Sequence, residues 1–576
     1  MLFPQQAFWL INVARNTCLA GLFASLPGLL NAETALAGNY IPEFYGIATN
    51  NALVNLNDSL GATTFYNQGV FGQNTTSWVV DAQLVGTNLF PAENFSNLSD
   101  TYASSDALTN SGDHATWVAA LLGGYTAPGY YLNTGMAPGT TIDSAALATS
   151  TNADGSFSIS TNSISAYSYA ASNGDVVSTS IGDSSDPAGV GLLSGLLDSL
   201  AVANPNTTMV AAAGNNGPTN GTVSGPASGY NVISVGALAG PTNYSVVASF
   251  SSRGPQATEW YDGTNTYFYD NGAATRPAVD LVAPGVGIVL PVTMTVDSNS
   301  ISFSYYSLSG TSFATPLVAG GAALLDSLAK SSTSFNGITN AATQNVVIKA
   351  VLMNAADKLP GWNNGQQILN GVITTTQALD WAMGAGRLNL NTAFTQYTTS
   401  AYVTTSPGFS YSGFNLPVAS TGWGYGTALL GGDNSYSLSS ELFAGQQIAV
   451  TLDWLRSSFW NAEISDYVDV AQAELDLMVY QVVLGEGDQL VAESISPVST
   501  TQELYFQLAA SGIYKIQVGY STNLFDFSGS YGSQPYGIAW SVTGVPEPGT
   551  FALLILGGVL LVAKARCRRD SSSVLL

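Results

Sequence analysis

Between residues 76 and 356 the apolar positions fall either into short solid runs or onto helical spacing. Val79 and Val80 lead into Asp81 and read as a buried strand with the aspartate at its carboxyl end. Ala115 to Leu122 is mostly apolar and lies between Gly112 and Gly123, which predicts a helix opening at or near His114. Leu317, Leu324, Leu325 and Leu328 recur at helical spacing behind Ser309-Gly310-Thr311-Ser312-Phe313-Ala314-Thr315-Pro316, so a second helix is expected from that glycine turn. Pro316 is expected in its first turn, where a missing N–H costs nothing. Val347 to Ala356 reads as a further helix. Past residue 400 the pattern changes: Gln447–Leu452, Leu475–Val483, Glu503–Leu508 and Ile513–Val518 alternate or run apolar between Gly and Ser turns, as short strands of an antiparallel sandwich do.

Two apolar runs stand apart from these. Arg15 precedes Cys18 to Leu30, and Ala35-Leu36-Ala37 offers a small-x-small cleavage site, with Ala32 as an alternative, so residues 1–37 are expected to be an export signal. Near the other end, Val545-Pro546-Glu547-Pro548-Gly549 precedes Phe551 to Ala563 and then Lys564, Arg566, Arg568 and Arg569. That run is shorter than the roughly 17–25 residues a membrane helix uses, and the basic cluster would hold its end on the cytoplasmic side.

Composition narrows the picture. With 576 residues the chain is expected to hold two or three domains. Charged residues make up only 9% and the net charge is −24, which argues against nucleic-acid binding because that needs a basic face. The two cysteines, Cys18 and Cys567, lie in the two terminal segments, so no disulfide framework is expected in between.

The chemistry centres on Ser312. A serine at a helix N-terminus sits where free N–H groups and the helix dipole favour a developing negative charge. His114 is the only histidine in the chain, so general-base chemistry by an imidazole near neutral pH can fall only to it. The order Asp81, His114, Ser312 is the one that separates the subtilisin arrangement from the other serine triads.

The stretches between these residues extend the likeness. They include Gly135-Met136-Ala137-Pro138-Gly139, Asp175-Val176-Val177 running to Ser180-Ile181-Gly182, and Val210-Ala211-Ala212-Ala213-Gly214-Asn215-Asn216-Gly217. Asn231 to Ala237, Phe250 to Pro255, Asp280 to Gly285 and Gly384 to Asn389 follow in order. Over residues 55–398 the chain resembles a subtilase, a subtilisin-like serine peptidase. The resemblance implies an α/β fold with a parallel sheet flanked by helices. It assigns Asp81, His114 and Ser312 to catalysis and Asn215 to the oxyanion. Ser180, Ile181, Gly182, Ala213 and Gly214 become the residues lining the substrate. Two places depart from the family pattern: Asp81-Ala82-Gln83 replaces Asp-Thr/Ser-Gly, and His114-Ala115-Thr116-Trp117 replaces His-Gly-Thr-His. The short stretch after the leader is expected to hold no folding pro-segment.

The expected division is therefore leader 1–37, subtilase catalytic domain 38–398, β-sandwich accessory domain 399–543 and tail 544–576. The accessory segments resemble the jelly-roll-like domains that follow secreted peptidases, and Asp476 is weighed there as a calcium ligand; no cofactor or catalytic metal is expected. The tail resembles the PEP-CTERM sorting signal, which implies a Gram-negative source, an exosortase as partner and transient anchoring in the inner membrane. The expected function is an exported serine endopeptidase acting on proteins or peptides through an acyl-enzyme. Its rival is a catalytically dead member of the fold serving as a surface binding or matrix component, and a lipase-like esterase is disfavoured because Ser312 lacks a Gly-x-Ser-x-Gly elbow.

Overall fold

The computed structural model describes residues 44–49, 51–86, 98–124, 134–152, 156–241, 243–272, 274–297, 300–404 and 413–544. The expected leader, and the sorting tail beyond its first residue, lie outside the described residues.

The central strands of the first half are buried along most or all of their length. Val176–Thr179 and Thr208–Ala212 are buried at every position, so both faces of their sheet are covered, as a parallel sheet requires. That sheet has eight strands. Its order is Val246–Val247, Ile233–Ala239, Thr208–Ala212, Val176–Thr179, Thr76–Asp81, Thr141–Ala146 and Leu98–Ala103, with Leu281–Pro284 also paired to Ile233–Ala239. Every pairing is parallel except that of Val246–Val247. Helices Asp113–Gly123, Ser165–Asn173, Leu192–Ala203 and Thr311–Ser331 pack on it.

Strand order reverses at Thr76–Asp81. After it the chain goes to the edge strand Leu98–Ala103, returns to Thr141–Ala146 between the two, and then crosses to the other side at Val176–Thr179. Such a switch leaves a crevice at the carboxyl ends of the two diverging strands. Asp81 ends one of the strands bordering it, and Ser180 directly follows another.

The C-terminal region is rich in β-structure, and two sheets enclose a second core that includes Trp454, Trp540, Tyr436 and Leu477. The expected antiparallel pairing holds for the long central strands, Asp466–Val483 with Ile513–Asp526 and Gln447–Trp454 with Ser533–Thr543. Three outer pairings are parallel instead: Val372–Thr375 with Gly487–Ser494, Asn415–Val418 with Asp433–Leu438, and Ala401–Val403 with Thr421–Leu429. In the first of these, a short strand lying between two helices of the α/β region crosses to the C-terminal sheet.

Buried charges join the two regions. Helix Asn345–Asn354 packs on Ser533–Thr543 and Gln447–Trp454. From it Lys349 Nζ reaches Asp280 Oδ1 at 3.3 Å, Asp453 Oδ1 at 3.5 Å and the Val232 carbonyl at 3.1 Å. Lys358 pairs with Glu503 at 2.5 Å, and the Arg456 guanidinium lies 3.2 Å over the Tyr230 ring. Burial pushes Asp453 and Glu503 up to about 7, against the opposing pull of their lysines. Removing one partner of such a pair leaves a charge unpaired in the interior, so the join between the regions is sensitive to the loss of either member.

Candidate active site

His114 reaches Asp81 through the path of the chain beyond Asp81. Leu84–Val85 pairs parallel with Ser111–Gly112, which leads directly into helix Asp113–Gly123. Thr116 Oγ1 donates to the Gly112 carbonyl and accepts from the Gly86 amide, both at 2.8 Å, which ties the helix start to the strand that follows Asp81. The result is a 2.8 Å hydrogen bond between His114 Nδ1 and Asp81 Oδ2. The other carboxylate oxygen accepts from the Ala82 amide at 2.7 Å. Asp81 is buried, whereas the imidazole is 41% exposed on its other side.

Electrostatics at the pair follow from that geometry. Burial is the largest influence on His114 and lowers its pKa, but the Asp81 charge and hydrogen bond together outweigh it and hold the imidazole above its ordinary 6.5. A carboxylate on Nδ1 also fixes the tautomer, leaving Nε2 free to accept a proton.

The departures from the family pattern sit around this pair without displacing it. Gln83 packs against Gly112, where an added Cβ would come within 2.7 Å of its Oε1. Ala115 is buried in the core, and the Trp117 ring meets Tyr306 edge-on at 6.2 Å.

Ser312 is the second residue of helix Thr311–Ser331, half-buried at its N-terminus. Gly310 provides no side-chain cap; the Thr311 amide instead donates to Asn215 Oδ1 at 2.9 Å, and Thr311 Oγ1 donates to the same oxygen at 3.0 Å. This distant cap starts the helix at Thr311. The placement of Pro316 in the first turn is therefore corrected: it is the sixth helical residue. Its missing N–H falls opposite the Ser312 carbonyl, which accepts from Ser180 Oγ at 3.0 Å. The Ser312 hydroxyl donates to the Ser180 carbonyl at 3.1 Å.

Asn215 is exposed, and its amide orientation is settled by its partners. A backbone N–H can only donate, so the atom facing Thr311 is the oxygen and the NH₂ group points elsewhere. Gly214, just before it, has φ +106°, and a Cβ there would meet Ser224 Oγ at 2.8 Å and Ser252 Oγ at 2.9 Å, so only glycine fits. Ala213 is buried and continues Thr208–Ala212. Ser180 and Ile181 are buried at the end of Val176–Thr179, while Gly182 is exposed with no hydrogen bond on its backbone among the described residues.

All the expected site residues thus lie at the carboxyl end of the sheet. Asp476 does not: it lies within Asp466–Val483 in the C-terminal region, where it accepts from Ser521 Oγ at 3.2 Å. One residue escaped the sequence reading. Thr311 accepts from the Gly214 amide at 3.2 Å while donating to Asn215, so it orients that side chain. Its place between the helix-start glycine and the serine was the available signal.

Comparison with known proteins matches residues 48–381, more than half of the chain, to the family model described as Peptidase_S8, the Subtilase family. Among curated proteins, the chain is 36% identical over 124 residues to serine protease AprX of Bacillus subtilis, covering 20% of this chain and 24% of that one. It is 36% identical over 158 residues to a thermophilic serine proteinase of Bacillus sp. strain AK1, covering 27% of each. It is 33% identical over 162 residues to the mouse membrane-bound transcription factor site-1 protease, covering 28% of this chain and 13% of that one. The chain therefore spans about a quarter or less of the length of these relatives.

Proposed function

Because the chain belongs to the subtilase family of serine peptidases, we propose that it is an exported endopeptidase that cuts peptide bonds through an acyl-enzyme on Ser312. The observation that carries this reading is the 2.8 Å pairing of the chain's sole imidazole with a buried carboxylate, in the same crevice as a helix-start serine.

In the first step Ser312 Oγ turns from the Ser180 carbonyl and attacks the scissile carbonyl carbon as its proton passes to His114 Nε2. Asp81 stabilises the imidazolium that forms. The Asn215 amide and the Ser312 backbone N–H bind the resulting oxyanion. Collapse expels the amine, which takes the proton from His114. Water then attacks the acyl group with His114 again as base, releasing the carboxylic acid and restoring the serine. An extended peptide would add as a strand along Ser180-Ile181-Gly182, where Gly182 offers unpaired backbone groups, with Ala213-Gly214 on the opposite wall.

The test is covalent. A fluorophosphonate probe should label the folded protein, with the adduct mapped by mass spectrometry to Ser312. Folded protein that stays unlabelled would point to the non-catalytic rival. Asn215→Ala is expected to lower kcat by about 10²–10³, the loss known for the oxyanion asparagine of subtilisin, with KM little changed. A KM effect with kcat intact would remove Asn215 from this role.

The proposal extends to location. The leader and the Pro-Glu-Pro, apolar and basic tail support export from a Gram-negative cell with exosortase-type release from the inner membrane, and the C-terminal β-region is read as a jelly-roll-like accessory unit.

A further inference from the structure

We infer that the Ser180 hydroxyl is a positioning group for the nucleophile, and that Pro316 is what makes it necessary. This rests on the peptidase reading above. In an unbroken helix starting at Thr311, the Ser312 carbonyl would accept from the N–H four residues on. That residue is Pro316, which has no N–H. Two carbonyls at the helix start show the contrast. The Thr311 carbonyl gains an extra donor from Thr315 Oγ1 at 2.9 Å, while the Ser312 carbonyl takes a donor from outside the helix at 3.0 Å.

Ser180 supplies that donor from the other side of the crevice. Its hydroxyl holds the Ser312 carbonyl at 3.0 Å, and its own carbonyl accepts the Ser312 hydroxyl at 3.1 Å. The two residues are 132 positions apart and bound in both directions. Ser180 is buried and the Ser312 carbonyl it binds is half-buried, so leaving that carbonyl without a protein donor carries a cost. The Asn215–Thr311 bond holds the backbone before Ser312, and Ser180 holds the backbone after it. Together they fix the residue whose side chain attacks and whose N–H is assigned to the oxyanion. Proline at this position thereby converts an ordinary helical bond into a link between the nucleophile and the strand that borders the substrate.

A double-mutant cycle tests the link, because Pro316→Ala restores an N–H opposite the Ser312 carbonyl. Fluorophosphonate acylation rates, peptide-substrate KM and melting temperatures are measured for the full chain, Ser180→Ala, Pro316→Ala and the double variant. Ser180→Ala is expected to slow acylation about tenfold, the worth of one lost hydrogen bond. The same change in the Pro316→Ala background should slow it less than about threefold, and KM should move less than about twofold because the Ser180 backbone is untouched. Equal slowing in both backgrounds, or none in either, overturns the inference. If Ser180→Ala folds poorly, Ser180→Thr keeps the hydroxyl: acylation near the wild-type rate supports the role, and a tenfold loss overturns it. A wild-type chain that takes no probe defeats the peptidase reading and this inference with it, whereas a labelled wild type without coupling defeats this inference alone.

Discussion

His114→Ala is expected to lower kcat by about 10⁶, the loss seen when the base of subtilisin's own triad is removed. The chain makes this a clean experiment, since no second histidine exists to stand in. Burial also raises carboxyl groups: Asp198 to about 6, Asp453 and Glu503 to about 7, and Asp326 well above the usual carboxylate range, the last buried in the same helix fourteen residues beyond Ser312. None can substitute. Asp198 is held by the Tyr230 and Asn231 amides, Asp453 lies within reach of Lys349 and Glu503 is paired with Lys358, all away from the crevice. The imidazole is 41% exposed, so trimming it opens no core cavity and the melting temperature should stay close to wild type. The measurement is peptide hydrolysis under saturating substrate, with circular dichroism to verify folding. A variant retaining more than about a hundredth of the activity would mean that catalysis does not run through this base.

How far the site could be read from sequence depended on whether its chemistry was local. Ser312 was legible because the glycine turn, the serine and the apolar stripe that buries the helix are contiguous. His114 was legible because it is unique, and Asp81 because an apolar run ends on it. What the sequence hid are bonds between distant residues. Nothing local to Ser180 says that its hydroxyl will meet the Ser312 carbonyl, and nothing local to Asn215 says that its oxygen will cap a helix 96 positions away. The error over Pro316 has the same origin: a proline in a first turn is a sound local rule, but the cap that set the helix start came from another strand's loop. In the second region the long alternating strands were visible. The Val372–Thr375 strand was not, because its hairpin partner Gln367–Leu369 is exposed and its place in the sheet depends on a strand more than a hundred residues later.

Asp81→Asn separates orientation from charge and is expected to cost about 10⁴ in kcat, the loss the same change brings in the chymotrypsin-type triad. The carboxylate can only accept, from His114 Nδ1 and from the Ala82 amide. An amide in its place can turn its NH₂ toward Nδ1, which moves the imidazole proton to Nε2, so that the nitrogen proposed to take the Ser312 proton can no longer accept it. The pH profile carries a second signature. In the wild type Asp81 holds the His114 pKa above 6.5, and the base must be neutral, so activity should fall as the pH drops through a midpoint above 6.5. In Asp81→Asn the charge that raises the pKa is gone while the burial that lowers it remains. The acid limb of the residual activity should therefore move to lower pH, opposite to the shift that added desolvation of a carboxyl base would give. Rate profiles of kcat/KM from pH 5 to 9 on both proteins decide the matter. An acid limb that stays in place in the variant would show that Asp81 does not set the ionisation of His114, and activity within tenfold of wild type would show that it does not set its tautomer.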